Sequence, residues 1–224
     1  MDRKTICIFG GGPAGLMAAD RLSASGLSVT VYDAMPTVGR KFLLAGKSGL
    51  NLTHTEELEA FIGRYGEARA VLEEAVRRLE PQAIRSWADG LGADTFVGTS
   101  GRVFPRAMKA SPLLRAWLRK LEGQGVRIAV RHRWLGMAAD GTHRLHGPEG
   151  DCTVKPDAAL LAFGGGSWPK LGSDGRWMEA VRALGVEVRP FRPANCGFER
   201  PWSAPFREKF AGAPIKSVIA LSDA

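Results

Sequence analysis

Three glycines and one acid carry the chemistry most open to reading in this chain. Gly10-x-Gly12-x-x-Gly15 follows a β-branched, aromatic run at Thr5–Phe9 and precedes a helical pattern from Pro13 to Ser25. Asp33 ends the next strand-like run, Ser28–Tyr32, and stands 23 residues after Gly10. A strand, a glycine turn, a helix and an acid about 20 residues on form the fingerprint of a dinucleotide site. Gly10 permits the tight turn, Gly12 lets the backbone reach a pyrophosphate, and Gly15 with Ala19 lets helix and strand pack closely. Pro13 suits the first helical turn, where its missing N–H costs nothing, and Gly26 suits the helix end. The helix N-terminus, with Pro13 and Ala14, offers free N–H groups and a positive dipole end to phosphates. Asp33 can accept both hydroxyls of the adenosine ribose, and its charge disfavours a 2′-phosphate. The site therefore favours FAD or NAD over NADP.

A second glycine-lysine-serine run, Gly46-Lys47-Ser48, resembles the end of a P-loop. The position five before Gly46 is Lys41, however, and no strand leads directly into the run. A nucleotide triphosphatase is excluded on that ground.

The elements around the turn set the fold class. Strand, helix and strand within about thirty residues make one βαβ unit. Residues 34–55 show no clean period and read as an ordered loop. Helices are expected at 56–63, 67–80, 81–90, 111–121 and 174–184, with Ser111 as N-cap of the fourth. A hairpin is expected from Thr95–Val97 and Arg102–Phe104, and further strands at 126–130, 134–138 and 158–163. Beyond Pro190 prolines recur at 193, 201, 205 and 214, and 215–221 reads as a strand. A domain boundary is placed there, giving domains at 1–189 and 190–224.

Bulk composition narrows the classes. The chain has 224 residues, with 45% hydrophobic and 24% charged, an ordinary globular balance. Its net charge is +8, and basic residues are thickest from Arg102 to Arg133. No aromatic residues alternate with them as a base-stacking surface requires, so nucleic acid is not an expected partner. The three cysteines, Cys7, Cys152 and Cys196, are widely spaced. They form neither a disulfide framework nor a metal motif, which points to a reducing compartment, the cytoplasm. Gly10 to Pro13 interrupt the apolar N-terminal run, so it is no signal helix. No stretch approaches the length of a membrane span.

FAD and NAD sites share this fingerprint, and longer motifs separate them. GGGPAGLMAA (10–19), VYDAMPTVGRKFLLAGKSGLNLTH (31–54), TFVGTSGRVFPRAMKA (95–110) and LLAFGGGSWPKLGSDG (160–175) resemble the BaiN/YhiN-like family of two-domain flavoproteins. The resemblance implies an α/β, Rossmann-like FAD-binding domain of the glutathione-reductase-like flavoprotein fold, followed by the start of a second, mainly β, substrate-side domain. It implies that Gly39-Arg40-Lys41 lies along the FAD pyrophosphate, that Gly46–Asn51 passes the flavin, and that Asn51 is that motif's asparagine. Gly49-Leu50 stands where the family has an Arg-Cys pair, so that cysteine's role is lost here. Trp134 falls where a small aliphatic residue usually presents its backbone to the adenine. Ala162, Gly164 and Gly165 match the strand returning past the cofactor. The family's chains are about twice this long, so this one is expected to be an N-terminal part of an FAD-dependent oxidoreductase. A small-molecule substrate and NADH or NADPH as electron donor follow from the same resemblance. No catalytic residue is assigned and no metal is expected. A plain NAD-dependent dehydrogenase, a basic interaction module and an inactive fragment are the competing readings. The first leaves 39–54 and 160–175 without a role.

Overall fold

The computed structural model describes residues 3–47, 49–192 and 201–211. It divides into two units, 1–189 and 190–224. The first runs β1 (Thr5–Phe9), α1 (Pro13–Ala24), β2 (Ser28–Asp33), α2 (Arg40–Ala45), β3 (Thr53–His54), α3 (Leu58–Gly63), α4 (Arg69–Arg78), α5 (Pro81–Gly90), β4 (Thr95–Val97), β5 (Arg102–Pro105), α6 (Ala110–Gly123), β6 (Arg127–Val130), β7 (Arg133–Met137), β8 (His143–Gly147), β9 (Gly150–Val154), β10 (Ala158–Leu161) and α7 (Trp177–Arg182). In the second unit the described residues form α8 (Ala204–Phe210). The expected strand at 215–221, and Cys196, lie outside the described residues.

Strands β10-β1-β2-β6 form a parallel sheet, with Ile8 opposite Val31 and Leu160. Alternation along β1 and β2 assigns its two faces. Ile6, Ile8, Val29 and Val31 face one way and pack with Leu16 and Ala19 of α1 and Leu114, Trp117 and Leu121 of α6. Cys7 and Phe9 face the other way and pack with Trp134, Leu145 and Val181. That second face is covered by α7 and by the antiparallel sheet β7-β8-β9. A parallel sheet needs both faces covered, and here a helix layer covers one and a small sheet much of the other. A third sheet, β3-β5-β4, sits beside α5.

Several expectations need correction. Residues 34–55 are not all loop: Gly39, in the left-handed conformation at φ 68°, starts α2. The helix expected at 111–121 begins at Ala110 behind Lys109, so Ser111 is inside it and caps nothing. The helix expected at 174–184 is shorter, because 174–176 belong to the loop before it. Strands β8 and β9 were not expected at all.

The sequence places Leu16, Met17, Ala19, Leu22 and Ala24 on the core-facing stripe of α1, and here too the structure differs. Ala24 is exposed, whereas Asp20 and Ser23 are buried. Asp20 accepts hydrogen bonds from the indole N–H groups of Trp117 (3.2 Å) and Trp87 (3.3 Å), from Lys120 Nζ (2.9 Å) and from Gln124 Nε2 (3.3 Å). Ser23 Oγ donates to Gln124 Oε1 at 3.0 Å. Burial pushes the Asp20 carboxyl up, but Lys120, Gln124 and Trp87 outweigh it and hold the carboxyl below its ordinary value. Removing a buried carboxylate leaves its donors unpaired. Asp20→Ala should therefore cost about 2–4 kcal/mol in urea unfolding. The folded state here holds its proton less tightly than the unfolded state. The stabilisation is thus complete above the unfolded carboxylate range and is lost as pH falls through the lower, folded value. Stability measured from pH 6 downward should fall less steeply in Asp20→Ala than in the parent.

Candidate cofactor site

The turn between β1 and α1 is built by close backbone approach. Gly10 has φ 117°, and a side chain there would collide with the carbonyl of Ala162. Its N–H donates to Tyr32 O at 2.8 Å, and Ala162 N–H donates to Phe9 O at 2.8 Å. The turn is therefore held between β2 and the end of β10. Gly15 packs on the Gly10 carbonyl with no room for a side chain. Gly12, the N-cap of α1, has open space beside it, and no side chain caps the first turn of the helix.

Asp33 faces this turn. Its Oδ2 accepts the Gly11 N–H at 2.6 Å and its Oδ1 accepts the Met35 N–H at 2.7 Å. Burial pushes the carboxyl above its ordinary value, while these N–H groups and the Arg40 guanidinium draw it down. A carboxylate has about four acceptor positions. Two are taken here, which leaves two for a vicinal diol. Gly11, not singled out from the sequence, is thus a structural partner of the acid, and a side chain there would collide with Val38.

The turn opens into a cleft of about 710 Å³, within the usual range for a ligand pocket. Gly10, Gly12, Pro13, Ala14 and Asp33 line it, and so do Arg40, Lys41 and Asn51, Trp134, and Ala162 with Gly164. Three expected residues stand outside the lining. Gly15 is under the helix. Gly46 lies against Ala110, too close for a side chain. Gly165 turns its carbonyl to Ser173 Oγ at 2.7 Å. Trp134 lines the cleft with a buried ring whose Nε1–H donates to His143 Nδ1 at 3.0 Å. Burial holds His143 below its ordinary value, in keeping with a nitrogen that accepts a bond. Tyr32, Ser173 and Trp177 also line the cleft and were not assigned to it from the sequence. Tyr32 is readable in retrospect from its place next to Asp33.

Charge in the cleft is mostly positive. Arg40 donates to Thr37 Oγ1 at 3.2 Å, yet its Nε is buried with no partner among the described residues. Among the described residues Lys41 Nζ meets only hydroxyls, Ser167 at 3.1 Å and Ser173 at 3.4 Å. An unsatisfied buried guanidinium nitrogen is costly unless a ligand supplies the acceptor, and a diphosphate is such an acceptor. The residues present fit the dinucleotide half of FAD: Gly12 and the first turn of α1 with Arg40 for the diphosphate, Asp33 for the ribose. Fold and site together define a dinucleotide-binding domain of the flavoprotein type.

Comparison with known proteins supplies the family. Residues 4–201 match the HI0933-like protein Rossmann domain. The chain belongs to that family, the BaiN/YhiN-like FAD-dependent group. It is 28% identical over 194 residues to a 3-dehydro-bile acid Δ4,6-reductase of Clostridium scindens, a match covering 84% of this chain and 46% of that protein. The chain thus spans about half the length of the curated relative it matches. Among solved structures it resembles the open conformation of a flavocytochrome c3 fumarate reductase (TM-score 0.59, 19% identity, 73% of this chain and 34% of that one). It also resembles the 3-ketosteroid-Δ4-(5α)-dehydrogenase of Rhodococcus jostii (TM-score 0.58, 14% identity, 83% and 54%). At these identities the two structures establish the shared fold. Among the described residues no helix is long and apolar enough to cross a membrane.

The glycines should separate folding from binding. Gly10→Ala and Gly15→Ala each force a collision with backbone, and Gly10 adds a disfavoured φ. Each should cost about 3 kcal/mol or more. Gly12→Ala meets nothing within 4 Å, so its melting temperature should match the parent's while FAD affinity drops. Melting curves and flavin fluorescence titrations on the three variants check this.

Proposed function

We propose that this chain is the FAD-binding part of an oxidoreductase acting on a small molecule. Gly12, Pro13 and Ala14 at the first turn of α1 would hold the diphosphate of the cofactor. Arg40 would offer its buried Nε–H to a phosphate oxygen, and Asp33 would accept hydrogen bonds from the ribose hydroxyls. Asn51 would serve the flavin part and Trp134 the adenine part. When bound, the flavin supplies hydride transfer, and the protein supplies position and electrostatics. Residues 1–189 are the cofactor domain, and 190–224 belong to a second domain. NADH or NADPH is the electron donor. The relative named as a bile acid reductase makes 3-oxo steroids the first substrate class to screen. Cys7 and Cys152 are free thiols, which supports a cytoplasmic protein.

One observation carries this reading: the buried Arg40 Nε, without a partner among the described residues, beside a helix N-terminus that no described side chain caps. Arg40→Met keeps much of the apolar stem and removes the donors. It should weaken FAD binding about 10- to 100-fold with little change in melting temperature of the cofactor-free protein. The purified chain should take up FAD with a bathochromic, structured flavin band. That band should bleach on adding NADH or NADPH to the full-length protein. A chain that binds NADH but leaves FAD free in a titration would instead support a plain NAD-dependent dehydrogenase.

A further inference from the structure

The loop from Gly164 to Arg176 lines the cleft and bonds to α2 on it, contacts that binding the cofactor does not by itself require. Gly164, Gly172, Ser173 and Asp174 line the cleft from this loop. Both ends of the loop are set by glycines in the left-handed region, Gly164 at φ 74° and Gly175 at φ 71°. Trp168, at φ 62°, is 60% exposed, a costly conformation for a bulky residue. Such a conformation persists only where neighbours hold it. The loop starts at the end of β10 and touches the opposite wall in two places. Gly172 packs on Met35, with no room for a side chain between them. Lys41 Nζ, on α2, reaches Ser167 Oγ at 3.1 Å and Ser173 Oγ at 3.4 Å. A third, exposed contact, Arg133 to Asp174 at 3.5 Å, is worth little in water.

Ser173 is the centre of this arrangement. It is 3% exposed. Its hydroxyl donates to Gly165 O at 2.7 Å, closing the loop on itself, and its lone pair faces Lys41. Lys41 has no carboxylate partner among the described residues, so two serine hydroxyls hold its ammonium across the cleft.

From this geometry we infer that residues 164–176 are a strap over the cofactor cleft and that Ser173 is its latch, setting how fast FAD enters and leaves more than how tightly it binds. The inference rests on the FAD reading above. A latch that must open for both entry and exit raises both barriers together. Removing it speeds both steps and leaves their ratio nearly unchanged.

Ser173→Ala in the chain with FAD as probe tests this by stopped-flow flavin fluorescence. Release and uptake should each quicken about tenfold, with the dissociation constant within about threefold of the parent's. A release rate within about twofold of the parent's would overturn the latch, as would weaker binding with uptake unchanged. Trypsin cleavage after Lys170, on the strap, gives a second readout that needs no flavin: it should quicken in the cofactor-free variant, and an unaltered rate counts against the latch. Ser167→Ala, at an exposed site, should shift the same quantities in the same direction by less. It carries the test if Ser173→Ala fails to fold. If the parent takes up no FAD, the cofactor assignment falls and the proteolysis arm alone judges the strap.

Discussion

The bond from the Gly11 N–H to Asp33 Oδ2 at 2.6 Å is the constraint on which the rest of the site depends. It ties the turn after β1 to the end of β2. The same carboxylate takes the Met35 N–H and so fixes the chain leaving β2, while the Gly39 N–H donates back to Gly11 O at 2.8 Å. Three backbone segments are thereby set around one acid. Gly10 is confined from the other side by Ala162, which brings β10 into the same register. A charge-assisted bond to backbone N–H is stronger than a neutral one, and this one is half-buried, where competition from water is weaker. The acid therefore assembles the site as well as offering it a ligand. A dinucleotide would meet a turn already in position, with no ordering left to do there.

Much of this was legible in the sequence, and the reasons differ by element. The β1–α1–β2 unit was readable because its signals are local: β-branched runs, a turn that needs glycine, an acid at fixed spacing. Helix α5 was readable for its Pro81 start and amphipathic run. Helix α2 was not, since six residues give too few turns for a period and its start depends on the conformation of Gly39. Strand β8 was hidden because it holds His143 and Gly147 at buried positions and Arg144 and His146 at exposed ones, so polarity does not alternate with burial. Strand β9 was hidden because Asp151, Cys152 and Thr153 in its middle are all exposed. Arg40 and Lys41 were placed at the cleft by the family resemblance and by nothing in their own spacing. The bond between Gly11 and Asp33 had no sequence signal, because any residue except proline supplies an N–H. The collisions of a side chain with Val38 and with Asp33 Oδ2 explain why the position is glycine.

Asp20 shows the opposite failure. In a helix pattern an aspartate marks the solvent side, and Ala24 the core. The structure reverses them because α5 and α6 bring two indoles, an ammonium and an amide to one point. These partners lie 67 to 104 residues away. No local window contains them, so propensity and period cannot see the site. A buried carboxylate with that many donors fixes the orientation of α1 about its own axis, which apolar packing alone leaves less defined.

That orientation bears on the other end of the same helix. A helix leaves about four N–H groups unsatisfied at its start, and most helices satisfy some with a capping side chain. Here the N-cap is Gly12, which has none to offer, and Pro13 removes one donor outright. Such an end frays unless something else holds the helix. The Asp20 network supplies that hold about two turns further on, together with Leu16 and Ala19 against the sheet. The first turn can then keep its donors pointed at the cleft. Stability is concentrated in the middle of α1, so its N-terminus stays open to a diphosphate. The uncapped end and the buried aspartate are thus two parts of one arrangement, and removing the second should loosen the first.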